Sequence, residues 1–407
     1  MELSLEAYRL IVKYVGNRAD ICTLCRVNKG FQRAAERALY NTIFASDTSD
    51  TLIMCSLLAD QPRLAIMVEA LTVFVGDESH SGSSIRSDLP ENFWPTVARA
   101  LQLTTRLRFL NLHLDYAGDT AQAWVLEQTT FRLRSFHCDL LWDIHLISFL
   151  NAQPDIDDLY IVDYRVPDNT PTSAVPSSSL DAGALPYLST LECTFTEAAG
   201  ALVPTRPISR LKTCFSKTHL REKREELSLL FTKLFQATHP LHSLDIADSS
   251  YSELFSMELL TAVVRLQNQV QGLQYLGTLV LPIGGQEVHG FVELRLQFYG
   301  LLRRLPYLQC VEVDVSEWEP PPPIPAGVRA LASELRLYCP SVERVIFVND
   351  FERTVITAVH GICESLTQSG SECILTGMTQ YYVNGDPLPW VQTDSLEPQA
   401  LDPIGQT

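Results

Sequence analysis

The chain is expected to be an α/β protein in which a short helical unit precedes a long array of strand–helix repeats, and three observations predict this. An apolar-x-x-apolar-x-apolar pattern recurs ten times between Val68 and Val342. Stretches between the recurrences carry apolar residues at helical spacing, such as Leu227, Leu230, Phe231, Leu234 and Phe235, or Leu294, Phe298, Leu301, Leu302 and Leu305. Finally, Pro154, Pro186, Pro207, Pro240, Pro306 and Pro340 each stand one or two residues before the first apolar anchor of a unit. Proline cannot continue a helix and biases its predecessor to extended backbone, so each marks a helix end that feeds a strand.

In chain order, the first expected element is a unit of three short helices in residues 1–45. Leu5, Tyr8, Ile11, Val12 and Val15 share one helical face behind Ser4, a side-chain cap, and Gly16 and Asn17 end the segment. Asp20 is the expected cap of a second helix with Ile21, Leu24 and Cys25 on one side, closed by Asn28, Lys29 and Gly30. Phe31, Ala34, Ala35, Ala38 and Leu39 form the stripe of a third. So small a unit buries little apolar surface by itself and is expected to press on a neighbour, a partner protein, or both.

The ten strands follow in the segments VEALTVF from Val68, LRFLNLHL from Leu107, LRSFHC from Leu133, IDDLYIV from Ile156 and LSTLECTF from Leu188. They continue with ISRLKTCF from Ile208, LHSLDIA from Leu241, LGTLVL from Leu276, LQCVEVDV from Leu308 and VERVIFV from Val342. The mean period is about 30 residues. An ordinary doubly wound α/β sheet would also alternate strands and helices, but neither a glycine-rich phosphate loop nor an all-apolar strand core is present. Residues 76–91 and 165–186 are polar, rich in glycine, serine or proline, and read as long loops. The run EWEPPPPIPAG at 317–327 favours polyproline II, as a stiff connection or a dock for SH3 or WW domains, and residues 384–407 read as a mobile tail after a repeat region spanning 46–383.

The chain has 407 residues, 46% hydrophobic, enough for a sizeable core. A net charge of −17 argues against a nucleic-acid or anionic-membrane partner. Ten dispersed cysteines suggest a reducing compartment. With no basic, apolar leader and no span of about 18 apolar residues, the expected location is cytoplasmic, nuclear or both.

No catalytic motif is recognisable, and no enzyme activity, metal or cofactor is expected. Cys22-Thr23-Leu24-Cys25 has the spacing of a zinc or redox pair but lacks a second pair, so packing is favoured. His239-Pro240-Leu241-His242 and Gly284-Gly285 read as turns. Because side chains alternate along a strand, the residue between the last two anchors of each unit should face away from the core. That gives the row Thr72, Asn111, His137, Tyr160, Glu192, Lys212, Asp245, Val280, Glu312 and Ile346, of which His137, Tyr160, Glu192, Lys212, Asp245 and Glu312 are expected to bind a target. Acids just past the strands, Asp115, Asp139, Asp163, Asp314 and Asp350, either line a rim that attracts a basic peptide or are ordinary turn residues.

The opening stretch resembles an F-box, in particular the version common in fungal proteins. Leu3-Ser4-Leu5-Glu6 opens it, Asp20 to Val27 is its middle, and Leu39-Tyr40 closes it, with Ser4 where the family usually has proline. Cys339-Pro340-Ser341-Val342-Glu343-Arg344-Val345 looks like the turn of the leucine-rich repeats that often follow an F-box. The resemblance implies a solenoid with parallel strands on its concave face and helices on its convex face. It also implies docking on a Skp-type adaptor of a cullin ubiquitin ligase through Leu3, Leu5, Ile11, Leu24, Val27 and Phe31, the chain acting as a monomeric substrate receptor within that complex. A repeat-built interaction scaffold without ligase function remains open, as does an enzyme site assembled from separated residues such as His137 and Glu192.

Overall fold

The computed structural model describes residues 3–74, 89–113, 123–162, 180–248, 252–283, 291–319, 321–322, 326–349, 352–359 and 362–368. Most of the two long loops, parts of the proline run, Gly284-Gly285 and the tail lie outside them.

Three helices open the chain: α1 (Leu5–Lys13), α2 (Arg18–Leu24) and α3 (Lys29–Tyr40). Each begins on a side-chain cap, Ser4 to the Ala7 N–H, Asn17 to the Ala19 N–H and Asn28 to the Phe31 N–H. Asp20, the expected cap of the second helix, instead lies in its first turn, because Asn17 already stands at the end of the connection. Tyr8, Val12, Ala34 and Ala35 form a small core separate from the main one, with Ile21, Leu24, Cys25 and Phe31 packed on it. The Tyr8 and Phe31 rings meet edge to face at 4.6 Å. Ala38, expected in the buried stripe, is exposed. Helix α3 runs straight into strand β1 (Thr42–Ala45), so the last residues of the unit expected over 1–45 belong to the sheet.

The sheet has thirteen strands whose spatial order is their order in the chain. After β1 come β2 (Ala70–Phe74), β3 (Phe109–His113), β4 (Ser135–Cys138), β5 (Asp158–Ile161), β6 (Thr190–Cys193), β7 (Arg210–Cys214), β8 (Ser243–Ala247), β9 (Tyr275–Val280), β10 (Cys310–Asp314) and β11 (Arg344–Asn349), each parallel to the last. Strands β12 (Glu352–Val359) and β13 (Ile362–Gln368) then close the array antiparallel. All ten expected strands are present. The first strand and the closing hairpin fall outside the repeat pattern that located the others.

Helices fill the connections: α4 (Thr48–Asp60), α5 (Pro62–Ala65), α6 (Phe93–Leu103), α7 (Ile144–Asn151), α8 (Thr196–Leu202), α9 (Leu220–Leu234), α10 (Glu253–Arg265), α11 (Phe291–Leu302) and α12 (Ala326–Tyr338). Several start on acid or serine caps, among them Asp47, Asp143 and Ser252. Contacts join α4 to α5, α5 to α6, and α8 through α12 in turn, and parallel crossovers of one hand put the helices on one face of the sheet, so that no described helix covers the other. The stripe of α9 is buried as expected except Phe235, which lies past the helix end and is exposed.

The main core is built from registered columns. Leu71, Leu110, Phe136, Leu159, Leu191, Leu211, Leu244, Leu276, Val311 and Val345 lie side by side on ten neighbouring strands, all buried. A second buried column runs through the turn that enters each strand, from Val68, Leu107 and Leu133 to Leu308 and Val342. In the eighth unit this anchor is Leu273, three residues before the expected start at Leu276. The cause is a bulge in which Gly277 and Thr278 together oppose Glu312, between the pairs Leu276–Val311 and Leu279–Val313.

Polar groups buried at the carboxyl ends of β6–β8 are tied together through α9. The Glu226 carboxylate of α9 accepts from Thr196 Oγ1 at 2.6 Å, the Ser216 N–H at 3.0 Å and the Lys217 N–H at 3.2 Å, tying the segments after β6 and β7 to one helix. Beside it Lys223, also on α9, is paired with Asp248 at the end of β8, and its ammonium lies 5.4 Å from the Phe255 ring centre. Replacement of Glu226 by Ala strands those donors, and urea denaturation is expected to show a loss of about 3 kcal/mol.

Candidate functional site

Strand register brings the expected outward row together across the open face. Thr72, Asn111, His137, Tyr160, Glu192, Lys212 and Asp245 are direct neighbours on β2–β8. Phe44 extends the row on β1, and it is strongly exposed. Beyond Asp245 the next position is Gly277, not Val280. Val280 is buried and stands past the row, opposite Asp314, and its N–H donates to Ser256 Oγ. Glu312 and Ile346 resume the row on β10 and β11.

Side chains on this face form three linked groups. Ser135 Oγ donates to Asp158 Oδ2 at 2.8 Å, and His137 Nε2 lies 2.9 Å from the same oxygen and 3.2 Å from the hydroxyl. Serine, histidine and aspartate are thus together, but the same imidazole nitrogen meets both partners and the serine proton points to the carboxylate. A nucleophile relay needs the two opposite ring nitrogens, so the arrangement orients side chains and does not activate Ser135. The expected alternative of His137 acting with Glu192 meets the same geometry, since the close carboxylate of His137 is that of Asp158.

Around Tyr160, the His113 ring centre lies at 5.5 Å and that of His137 at 5.9 Å, and Phe74 lies 6.4 Å beyond His113. Burial, together with the Glu192 and Asp139 carboxylates, pushes the Tyr160 hydroxyl up to about 12.

The third group is charged. Lys212 Nζ sits 2.6 Å from Glu192 Oε1. Glu312, whose side chain is only 4% exposed, accepts from Tyr275 OH at 3.1 Å and from an Arg353 guanidinium N–H at 3.0 Å. Burial raises the Glu192 carboxyl above its usual range despite Lys212, and it raises that of Glu312, helped by Asp245 and opposed by Arg353. Asp245 leans over Gly277: a Cβ there would stand 2.6 Å from Asp245 Oδ1 and 2.8 Å from Tyr275 OH. A glycine is therefore required for these side chains to meet.

The expected acidic rim is only partly described. Asp115, Asp163 and Asp350 lie outside the described residues. Asp314 is buried and accepts the Ser316 N–H at 2.8 Å, the behaviour of a turn residue, while Asp139 is half-buried beside the aromatic group.

The second region is the surface of the three-helix unit. Of the six residues expected to dock, Leu3, Ile11 and Val27 are exposed, whereas Leu5, Leu24 and Phe31 are half-buried, the last two against the small core. Two more exposed residues were not anticipated, Leu10 at 56% and Tyr14 at 80%. With Leu3 they recur at spacings of seven and four, opposite Tyr8 and Val12, so α1 carries an apolar stripe on each side. The unit is held to the sheet through α3: Arg37 bonds Glu69 at 2.9 Å, and Glu36 takes Arg63 and Gln32, whose hydrogen bonds hold its carboxyl below the ordinary value.

Cys22 is exposed and Cys25 half-buried, and burial raises the Cys25 thiol. Among the described residues there is no cluster of three or more His, Cys, Asp or Glu suited to a metal, and no helix is long and apolar enough to cross a membrane. Comparison with protein-family models gives no match, and no curated protein matches the chain.

Two outcomes follow. Gly277→Ala is expected to cost about 1–3 kcal/mol in urea denaturation, since Asp245 and Tyr275 must part. For pH, the raised Glu192 and Glu312 bind protons more tightly folded than unfolded. Their contribution is complete below the ordinary carboxylate range and is lost as pH rises through the raised values. Thermal stability should fall as pH rises above the ordinary carboxylate range, and Glu312→Gln should flatten that slope.

Proposed function

We propose that the chain is the substrate-recognition subunit of a Skp-cullin-F-box type ubiquitin ligase, the helical unit docking the adaptor and the sheet's open face holding a target protein. The observation that carries this is the apolar surface of the small helical unit. Leu10 and Ile11 on α1, Tyr14 at its end, Leu3 before it and Val27 after α2 are exposed although the unit has a core of its own, and several exposed apolar residues on so small a unit mark a surface made for a partner. The F-box-like order of short segments agrees with that use.

The sequential parallel strands and touching helices agree with a leucine-rich-repeat solenoid, with the open face as its concave side. In this reading the chain performs no bond chemistry. It holds a target near the ligase's charged E2 enzyme and raises the effective concentration of target lysines there. The rigid passage of α3 into β1 fixes the direction in which a bound target is presented.

Purified chain should bind a Skp-type adaptor, and a Leu10→Asp, Tyr14→Asp double variant should lose at least tenfold in affinity while keeping its thermal transition, because neither residue belongs to a core. Absence of binding by folded wild type would leave a scaffold without ligase function as the better account.

A further inference from the structure

The geometry points to an arginine-binding site on the open face, centred on Tyr160, that takes an extended basic segment of the partner protein. This deepens the proposed target-binding role of that face and rests on it.

Three features converge. The Tyr160 ring is flanked by His113 and His137 at 5.5 and 5.9 Å, so aromatic edges and faces cluster on adjacent strands of the face that no described helix covers. Carboxylates surround the cluster: Asp158 beside His137 at 2.9 Å, and Glu192 and Asp139 near enough to Tyr160 to raise its hydroxyl. The whole chain carries a net charge of −17, so a cationic partner segment is drawn to it. A guanidinium is the cation that uses both parts at once, stacking its plane on an aromatic ring while its N–H fork meets a carboxylate. An ammonium is a compact, strongly hydrated charge and gains less from the rings.

The dimensions of the face set the length of the segment. Neighbouring strands are about 4.8 Å apart, so β2 to β8 span about 29 Å, the length of about nine extended residues. The charged pair Glu192–Lys212 and Asp245 lie farther along that track and would read side chains beyond the arginine.

The test uses the full chain and a fluorescein-labelled nonapeptide of alternating glycine and arginine, with lysine and citrulline versions, followed by fluorescence anisotropy at physiological salt. The arginine peptide should bind about fivefold or more tighter than the lysine one, and the citrulline one should not bind. Tyr160→Leu should weaken the arginine peptide about fivefold, Tyr160→Phe should retain binding because the ring remains, and Asp158→Asn should weaken it comparably. Glu225→Gln, an equal charge change on the exposed helical side, should have no effect. The inference is overturned if Glu225→Gln weakens binding as much as Asp158→Asn, if Tyr160→Leu changes nothing, or if citrulline binds like arginine. Adaptor affinity, measured on the same variants, separates the two proposals: its retention alongside failed peptide recognition removes the arginine site and leaves the adaptor role standing.

Discussion

One repeated hydrogen bond organises the molecule. At the start of each parallel strand a single carbonyl of the preceding unit accepts two consecutive N–H groups of the next. The Asn41 carbonyl takes Glu69 and Ala70, that of Glu69 takes Arg108 and Phe109, that of Arg108 takes Arg134 and Ser135, and the chain of contacts continues unit by unit to the Gln309 carbonyl, which takes Glu343 and Arg344. Backbone groups in a buried turn must be satisfied, and a shared carbonyl does this while fixing the stagger between neighbours. With stagger fixed, the leucine columns fall into line and the side chains of the open face must meet in one row. The amino-terminal helices inherit the same constraint, since Asn41 is the residue at which α3 hands over to β1.

How much of this was legible in the sequence depends on which signal repeats. The ten parallel strands announced themselves because a buried column demands an apolar residue at the same place in every unit, and the row from Thr72 to Asp245 followed from strand alternation alone. The eighth unit misled because Leu276, Leu279 and Leu281 imitate the pattern better than Leu273, Leu276 and Thr278 do. Only the bulge opposite Glu312 decides between them, and a bulge depends on contacts with the next strand. Strand β1 is four residues long and the β12–β13 hairpin alternates in its own register, so neither matched a pattern tuned to parallel units. On α1, Leu10 and Tyr14 were passed over because one apolar stripe explained the helix, and a second stripe is needed only if something outside covers it.

The open face is unusual for the amount of charge it holds half out of water. Glu192, Asp245 and Glu312 stand on nearby strands, with Lys212 between the first two and Arg353 reaching Glu312 from β12, and burial keeps two of these carboxyls reluctant to ionise. A buried polar network is stabilising only when each member is served, so such a row makes heavy demands on shape. Gly277 answers one of them by leaving room for Asp245 and Tyr275. The contrasting end of the face is rich in rings, with Tyr160 and its histidines beside the Ser135–His137–Asp158 group, so the two ends offer a partner different chemistry.

The shared-carbonyl turns also make the two edges of the array unequal. Chain entering a strand is tied to the preceding unit by a carbonyl that takes two successive N–H groups, whereas chain leaving one makes a single bond, as Asp139 N–H does to the Leu112 carbonyl and Val162 N–H to that of Cys138. Length can be added on the exit side without disturbing the stagger, and cannot be added on the entry side. Lineages that carry this architecture would accordingly diverge in loop length along one border while the opposite border stays uniform, and an engineer wishing to graft a foreign loop would place it after a strand, never before one.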